Sequence, residues 1–214
     1  MGIPPDSRLT RLKTQWAQVQ RQPKGAAGAR LPPGQHEVRD WPVLDLGEQP
    51  EIARQDWRLA IEGLVARPQV LDWTALMEIE QVDTTCDIHC VTSWSRFDNR
   101  FTGITTHSLL DRVQPLEQAR AVLLYGSDGY TTNLPLTDFA HPDALLAHSW
   151  QGAPLTTPHG GPVRLVLPHL YFWKSAKWLR GIEFLASDEP GFWEERGYHM
   201  RGDPWAEERY GQSG

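Results

Sequence analysis

Apolar and polar residues alternate along several short stretches of the chain. Over residues 57–63 the alternation has a period of two and ends at a glycine, which predicts a half-buried strand. A linker that starts at Pro68 precedes a short predicted helix over 72–79, for which Asp72 is a suitable N-terminal cap. The β-branched residues over 82–85 predict a second strand.

The second half of the chain continues this pattern of short elements. It predicts a capped helix over 106–113, a buried strand over 121–125 that ends in the turn 126–129, and further strands over 162–167 and 177–185. Short strands with irregular connections and few short helices are typical of an α+β fold with mixed sheets. They do not match a repeating βαβ unit.

The first 35 residues differ from the rest of the chain. They are polar, rich in Arg, Lys and Gln, and interrupted by Pro and Gly, with one helical stretch predicted over 7–19. We therefore predict a partly disordered N-terminal arm over 1–35 and a single domain over 36–214.

Composition and charge narrow the classes of function. Lys and Arg number 21 against 27 Asp and Glu, and the resulting net charge of −6 disfavours a nucleic-acid partner. No apolar run approaches the roughly 20 residues that cross a bilayer, and no secretory signal is visible, so we expect a cytoplasmic protein without a membrane segment. Neither G-x-G-x-x-G after a strand nor a Walker A sequence occurs, which leaves nucleotide binding without support.

Both cysteines and one histidine lie in the segment Cys86-Asp-Ile-His89-Cys90. Four interpretations are open at this point. The cysteines are buried apolar residues without chemistry, or they bind zinc together with His89, or Cys90 is a nucleophile activated by a distant histidine. In the fourth interpretation, Cys90 is a thiolate ligand of a redox metal carried by an organic cofactor, which requires an anion-binding pocket elsewhere in the chain.

Such a pocket is predicted between residues 158 and 179. Two adjacent glycines expose backbone N–H groups there, and donors or cations cluster around them: His159, Arg164, Lys174, Ser175 and Lys177. Backbone donors combined with fixed cations favour a dianionic group such as a phosphate over a carboxylate. A simpler interpretation, in which these residues lie on the outer faces of two strands, is also open.

Five segments of the chain match family motifs in both composition and order. They are His89-Cys90-Val91-Thr92-Ser93-Trp94-Ser95, Ser127-Asp128-Gly129-Tyr130 with Leu134-Pro135-Leu136, His159-Gly-Gly-Pro-Val-Arg164, Lys174-Ser-Ala-Lys177-Trp178 and Trp193-Glu-Glu-Arg-Gly-Tyr198. Through them the chain resembles, from about Trp41 to Tyr210, the sulfite-oxidase-type molybdopterin oxidoreductases, above all small stand-alone bacterial members. The resemblance implies the molybdopterin-binding α+β fold of that family, with mixed β-sheets and short helices.

The resemblance also implies roles for individual residues. Cys90 would bind molybdenum beside the dithiolene sulfurs of one molybdopterin, whereas Cys86 matches no ligand position. Tyr198 matches the tyrosine beside the metal in sulfite oxidases, and Trp94 and Arg96 complete the predicted catalytic set. The pterin and its phosphate would be held by His89, Cys90, Asp128, His159, Arg164, Lys174, Ser175 and Lys177.

Departures from the family pattern affect the expected function. In sulfite oxidases the ligand cysteine opens a C-x-G-N-R-R run whose arginine helps to bind the oxyanion, whereas this chain reads C-V-T-S-W-S-R. Arg96, Arg100 and Arg201 are candidates to replace that arginine, although none has the matching offset. No C-x-x-C-H occurs and the chain ends soon after the cofactor domain, so we expect no haem, a separate electron-transfer protein, and a monomer or weak oligomer.

The expected function is therefore that of a molybdenum-cofactor oxidoreductase. It would carry out two-electron oxygen-atom transfer on a small sulfur- or nitrogen-oxo substrate, by sulfite-like oxidation or sulfoxide-like reduction. Trp94 lies in the part of the motif where sulfite oxidases carry the oxyanion-binding arginine. Because a buried charge without a partner is costly, this tryptophan favours a neutral substrate over sulfite. A rival hypothesis from another class is a non-catalytic protein that binds a phosphorylated small molecule through residues 159–177, with Cys90 merely buried.

Overall fold

Residues 30–211 are described by a computed structural model of the protein. The helix predicted over 7–19 and most of the predicted N-terminal arm lie outside the described residues. The described part of that arm, residues 30–35, contacts the domain, because Arg30 forms an ion pair with Asp87 on the first sheet. These residues are thus held against the fold that follows them.

Short strands dominate the described part of the chain. The strands are β1 (His36–Glu37), β2 (Arg58–Gly63), β3 (Gln69–Asp72), β4 (Val82–His89), β5 (Trp94–Thr105), β6 (Ala121–Gly126), β7 (Thr131–Pro135), β8 (Leu145–Trp150), β9 (Ala153–Pro154), β10 (Arg164–Val166) and β11 (Leu179–Leu185). The α-helices are α1 (Trp73–Met77), α2 (Thr106–Val113) and α3 (Leu136–Phe139). Single 3₁₀ turns are formed by Thr157–His159, Phe172–Lys174 and Glu194–Arg196.

These strands form two mixed sheets. In the first sheet the order is β1-β5-β8-β10, with β4 also paired to β5 and β9 to β8. The second sheet has the order β3-β2-β11-β6-β7. The pairs β1–β5 and β2–β11 are parallel and the others antiparallel. The predicted α+β class with mixed sheets and short helices is confirmed.

The elements predicted from the hydrophobic pattern are present, with small shifts at their ends. Helix α2 spans the predicted residues 106–113, and the hydroxyl of Thr105 accepts a hydrogen bond from the N–H of Ser108 at 3.1 Å. In α1 the carboxylate of Asp72 accepts from the N–H of Ala75 at 2.9 Å. Both caps satisfy backbone donors that have no partner inside the helix.

Six strands lie where the pattern predicts none, namely the two-residue strands β1 and β9 and the longer strands β3, β5, β7 and β8. β3 occupies the predicted linker after Pro68. β5 carries charged residues at alternate positions, so its sequence shows no clear apolar alternation. The strand is stabilised by its pairing with β4 and β8. At Gly103 it passes so close to β8 that an added Cβ would lie 2.0 Å from the carbonyl oxygen of Leu146, so glycine is required there.

Two groups of buried apolar side chains form the core. The larger group joins the second sheet to α2, α3 and the inner residues of β8 and β10. The smaller group contains Trp41, Cys90, Trp94 and Phe172 and lies against the cavity described below. In the described part of the chain, no helix has the length and apolar composition needed to cross a membrane.

We expect Thr105→Ala to lower the free energy of unfolding by about 1 kcal/mol, because the N-terminal cap of α2 is lost. For a domain of this size the loss corresponds to roughly 2–4 °C in melting temperature, measured by calorimetry or circular dichroism. Thr105→Ser retains the capping hydroxyl and is the control. Equal melting temperatures for the alanine variant and the wild type would contradict the capping role.

Candidate functional site

A cavity of about 290 Å³ opens between the Cys90 turn and the segments that follow β9. Its walls come from parts of the chain that are far apart in sequence: the coil before β2, the turns after β4 and β6, and the loops around β10 and after β11. The lining residues are Trp41, Pro42, Leu44, Asp45, Leu46, Cys90, Val91, Thr92, Trp94, Asp128, Tyr130, His159, Arg164, Phe172, Trp173, Ser175, Lys177, Trp178, Trp193 and Tyr198.

Cys90 lies in the tight turn that joins β4 to β5. Its N–H donates to the carbonyl of Trp94 at 2.8 Å, and its carbonyl accepts from the N–H of Ser93 at 3.0 Å. The thiol lies 3.2 Å from the hydroxyl of Thr92, and only 6% of Cys90 is exposed. Burial raises the pKa of the Cys90 thiol, and the hydrogen bond with Thr92 opposes that effect.

This environment argues against two interpretations of the cysteine segment. A nucleophilic cysteine needs a base within hydrogen-bond reach, whereas the side-chain hydrogen bond of Cys90 goes to the hydroxyl of Thr92. A zinc site needs at least three protein ligands, and within residues 30–211 no three His, Cys, Asp or Glu side chains are grouped to hold a metal ion.

The wall of the cavity that is predicted to bind an anion contains Arg164 and Lys177 and is called the anion-binding wall below. The guanidinium of Arg164 is buried in this wall. It donates to the carbonyls of His159 and Ser175, both at 2.8 Å, and packs over the ring of Phe172. Burial lowers the pKa of Arg164 to about 9, so the group is still a cation at neutral pH. Within residues 30–211, no carboxylate forms an ion pair with it. A buried cation without a counter-ion is unfavourable, so this wall is suited to an anion.

The Gly160–Gly161 turn brings the chain close to Lys177. An added Cβ on Gly160 would lie 2.8 Å from the Cβ of Lys177, and its φ of +92° also favours glycine. The N–H groups of these glycines donate to the carbonyls of Thr157 and Thr156 inside the turn. The sequence-based expectation of free backbone donors at this pair was therefore wrong, and the glycines serve close packing.

The ammonium of Lys177 faces the cavity. It donates to the carbonyl of Pro158 at 2.8 Å, and the carboxylate of Asp45 lies 3.9 Å away. Burial, reinforced by the charge of Arg164, lowers the pKa of Lys177 to about 8. Asp128 lies on the same wall, where burial raises the pKa of its carboxyl group. Two cations and two carboxylates thus share this part of the cavity.

Two buried indole N–H groups of cavity-lining residues, those of Trp94 and Trp178, have no hydrogen-bond partner in the described part of the chain. His159, in contrast, is fully engaged: its ring stacks on Trp41 at 4.2 Å, and Nε2 lies 3.2 Å from the Trp41 carbonyl. Buried donors without partners are rare in folded proteins. The two indoles therefore indicate that a ligand with acceptor atoms belongs in the cavity.

Aromatic side chains form the wall beside Cys90. Tyr198 packs against Trp173, Trp193 and Tyr210, with ring centroids 5.0–5.4 Å apart. Burial raises the pKa of the Tyr198 phenol, with smaller contributions from Tyr210 and from the nearby Cys90. The phenol is therefore protonated at neutral pH.

The comparisons with known proteins agree with this geometry. The family model for the oxidoreductase molybdopterin binding domain matches residues 46–193. The chain belongs to this family. The indole donors, the uncompensated Arg164 and the thiol of Cys90 fit a molybdopterin, which combines hydrogen-bond acceptors, a phosphate and a metal with affinity for sulfur.

Individual relatives support the same assignment. YuiH of Bacillus subtilis strain 168, an uncharacterized oxidoreductase, is 46% identical over 182 residues, which are 85% of this chain and 92% of YuiH. YedZ1 of Azospira oryzae, named a putative protein-methionine-sulfoxide reductase subunit, is 27% identical over 152 residues, 71% of this chain and 58% of YedZ1. The structure of the sulfane dehydrogenase SoxCD from Paracoccus pantotrophus superposes with a TM-score of 0.61 at 23% sequence identity. The match covers 65% of this chain and 41% of the SoxCD chain, and it shows that the two share a fold.

Most residues predicted for the molybdopterin site lie on the cavity wall. They are Cys90, Trp94, Asp128, His159, Arg164, Ser175, Lys177 and Tyr198. The predicted residues that do not line the cavity are His89, Arg96 and Lys174.

Each of these three side chains is engaged elsewhere. Because β4 is extended, His89 points away from its neighbour Cys90, and its Nδ1 lies 2.8 Å from the hydroxyl of Ser95. Burial lowers the pKa of His89 to about 4, so this imidazole is neutral. The guanidinium of Arg96 packs over the ring of Trp150. Lys174 is fully buried in an ion pair.

Several cavity residues were missed by sequence reasoning. Five of the ten tryptophans line the cavity, so the abundance of tryptophan in the sequence was a usable signal for this site. Arg209 does not line the cavity but holds the Cys90 turn, and sequence reasoning had no signal for it because it is distant in sequence from Cys90. Its guanidinium donates to the carbonyl of Val91, and its charge opposes the rise in pKa that burial causes at the Cys90 thiol. Arg201, a sequence candidate to replace the oxyanion-binding arginine, forms an ion pair with Asp138.

We expect Lys177→Ala and Arg164→Ala to lower cofactor occupancy more than turnover per bound molybdenum. Loss of one charge-assisted hydrogen bond costs about 1.5–3 kcal/mol, or roughly 10- to 150-fold in affinity. Molybdenum and pterin content per chain are the measurements, and the exposed Arg112→Ala is the control. Full occupancy with reduced turnover in both variants would contradict the anchoring role.

Proposed function

We propose that this molybdopterin-binding oxidoreductase transfers an oxygen atom from a small neutral sulfoxide or N-oxide, using one molybdenum and one molybdopterin per chain. The observation that carries the proposal is the aromatic wall beside Cys90, where Trp173, Trp193 and Tyr198 line the cavity. When bound, the cofactor supplies two-electron oxygen-atom-transfer chemistry.

The residues that would hold the cofactor have distinct tasks. Cys90 would be the thiolate ligand of the metal, since its thiol faces the cavity and a soft sulfur donor suits molybdenum. Arg164 and Lys177 would neutralise the phosphate, and the indoles of Trp94 and Trp178 would donate to acceptor atoms of the pterin.

Tyr198 would orient the substrate. Its raised pKa keeps the phenol protonated at neutral pH, so its Oη is a hydrogen-bond donor for an oxo group held near Cys90. Because it packs between Trp173 and Trp193, the ring has a fixed position. In the overall reaction, the substrate takes up two electrons and two protons and leaves as a sulfide or amine together with water.

The charges near Cys90 favour a neutral substrate. The guanidinium of Arg164 is held by backbone carbonyls, and that of Arg209 is held at the Cys90 turn by Val91. A buried sulfite dianion would lack a positioned guanidinium, and an unpaired charge in a closed pocket is costly. The name of YedZ1 supports a sulfoxide as the substrate class.

The electrons would come from a separate redox protein, since the proposed reaction consumes two electrons per turnover. The rival hypothesis of a non-catalytic binding protein is not favoured, because the family match and the relative YuiH are both oxidoreductases. Near-stoichiometric molybdenum in protein purified from a cofactor-producing host would support the enzyme. A folded protein free of metal and pterin would support the binding protein.

We expect Cys90→Ser to abolish turnover while the fold is retained, because an alkoxide is a harder ligand than a thiolate. Cys86→Ser is the matched control and should be nearly silent, since Cys86 does not line the cavity. Turnover and melting temperature are the measurements. An essential Cys86 with a dispensable Cys90 would show that the ligand assignment is incorrect.

We expect the molybdenum-loaded enzyme to reduce a neutral sulfoxide with a reduced dye as electron donor, and to oxidise sulfite poorly with an artificial acceptor. The physical reason is the aromatic wall without an available arginine beside Cys90. Steady-state kinetics with both substrates measure the preference. Tight, fast sulfite oxidation without sulfoxide turnover would overturn the proposed substrate class.

A further inference from the structure

Behind the aromatic wall lies a buried ion pair that does not touch the cavity. The ammonium of Lys174 is 2.6 Å from Oε1 of Glu194, and neither side chain is exposed. Lys174 belongs to the 3₁₀ turn Phe172–Lys174 and Glu194 to the 3₁₀ turn Glu194–Arg196. The pair therefore joins two loops that each contribute aromatic residues to the wall.

Lys174 holds the chain on both sides of Tyr198. Besides Glu194, its ammonium donates to the carbonyl of Met200 at 2.6 Å and to the side-chain oxygen of Asn133 on β7 at 2.7 Å. Glu194 lies four residues before Tyr198 and Met200 two residues after it. The segment that carries the tyrosine is thus tied to the second sheet by this buried cation. Two direct hydrogen bonds from β7 add to it, from the Thr132 hydroxyl to Glu194 at 3.2 Å and from the Asn133 amide to the Met200 carbonyl at 3.1 Å.

Glu194 holds the ring against which Tyr198 packs. Its Oε1 accepts a hydrogen bond from the indole N–H of Trp173 at 2.8 Å, and the Trp173 ring meets Tyr198 edge to face with centroids 5.2 Å apart. Oε2 is buried and has no hydrogen-bond partner within residues 30–211. Compensation of this carboxylate therefore depends on Lys174.

Stability alone does not account for such a pair. The desolvation free energy of two buried charges is about as large as the free energy of their attraction. Apolar replacements of buried ion pairs are therefore often neutral or stabilising. A buried pair does have a defined geometry, because its hydrogen bonds have few alternatives in an apolar interior.

We propose that Lys174 and Glu194 are positioning residues that set the location of the Tyr198 phenol beside Cys90. The inference deepens the proposed function and rests on it where Tyr198 is given a role in catalysis. Lys174 binds the Glu194 side chain before Tyr198 and the Met200 carbonyl after it, and Glu194 fixes Trp173 behind the Tyr198 ring. Neither residue lines the cavity.

The test uses the double variant Lys174→Met/Glu194→Gln, which removes both buried charges together so that no uncompensated charge prevents folding. Its matched control is Arg196→Met/Glu195→Gln, which removes an ion pair of 3.7 Å that is exposed and lies in the same 3₁₀ turn. The single variants Lys174→Met and Glu194→Gln are measured where they fold.

The first readout is independent of turnover. The cofactor-loaded protein is labelled with 3-fluorotyrosine, and the resonance of Tyr198 is assigned by its loss in Tyr198→Phe. We expect the ¹⁹F resonance of Tyr198 to shift and broaden in the Lys174/Glu194 double variant and to stay unchanged in the control. Tyr125, which donates to Glu183 on the second sheet, is the internal reference and should stay unchanged in both.

The second readout is sulfoxide reduction by the loaded enzyme. We expect kcat to fall by about 10- to 100-fold in the Lys174/Glu194 double variant, the effect of a displaced catalytic group, while KM changes less than about threefold. An unchanged Tyr198 resonance and an unchanged kcat in a folded variant with normal cofactor content would overturn the positioning role. If wild-type enzyme reduces no sulfoxide, the proposed function fails, and the ¹⁹F spectra alone decide the position of Tyr198.

Discussion

The buried guanidinium of Arg164 connects the two segments on which the cavity depends. It binds the carbonyl of His159 in the glycine turn and the carbonyl of Ser175 in the loop before β11. Both segments would expose unsatisfied backbone acceptors without it, and such acceptors are costly in a buried setting. Arg164 thus stabilises the fold through these two hydrogen bonds. Because it has no carboxylate partner within residues 30–211, its charge also favours an anion at this wall.

On the opposite side of the cavity, the Cys90 turn is also held in place by hydrogen bonds to its backbone. Backbone hydrogen bonds to Trp94 and Ser93 close the turn, and Arg209 binds the carbonyl of Val91 from a segment near the end of the described chain. The thiol is therefore held where β4 ends, with little freedom to move. A ligand that must meet a metal at a defined position benefits from this rigidity, because less conformational entropy is lost on binding.

The cations of the cavity lie on one wall, although aromatic rings line all of it and Arg164 and Lys177 themselves pack over Phe172 and Trp178. The cations Arg164 and Lys177 lie on the anion-binding wall, while Trp173, Trp193 and Tyr198 surround the approach to Cys90. Behind this aromatic wall, the Lys174–Glu194 pair holds the loops together without adding net charge to the cavity. The proposed binding of a charged cofactor and a neutral substrate in one cavity rests on this placement of the cations away from the rings beside Cys90.

The sequence alone determined the fold class, the family and eight of the twenty residues that line the cavity, because these depend on local patterns and ordered motifs. Helix α2 and the cap at Thr105 follow from short-range rules, and the motif around Cys90 is contiguous. Tertiary structure decided what spacing does not encode. Strand β5 is held by its neighbours rather than by its own alternation, Arg209 reaches Cys90 only through folding, and Lys174, adjacent in sequence to cavity residues, turns into the core because Glu194 supplies its counter-ion there. Side-chain direction and ion pairing between distant residues depend on three-dimensional packing, so no pattern in the chain could have specified them.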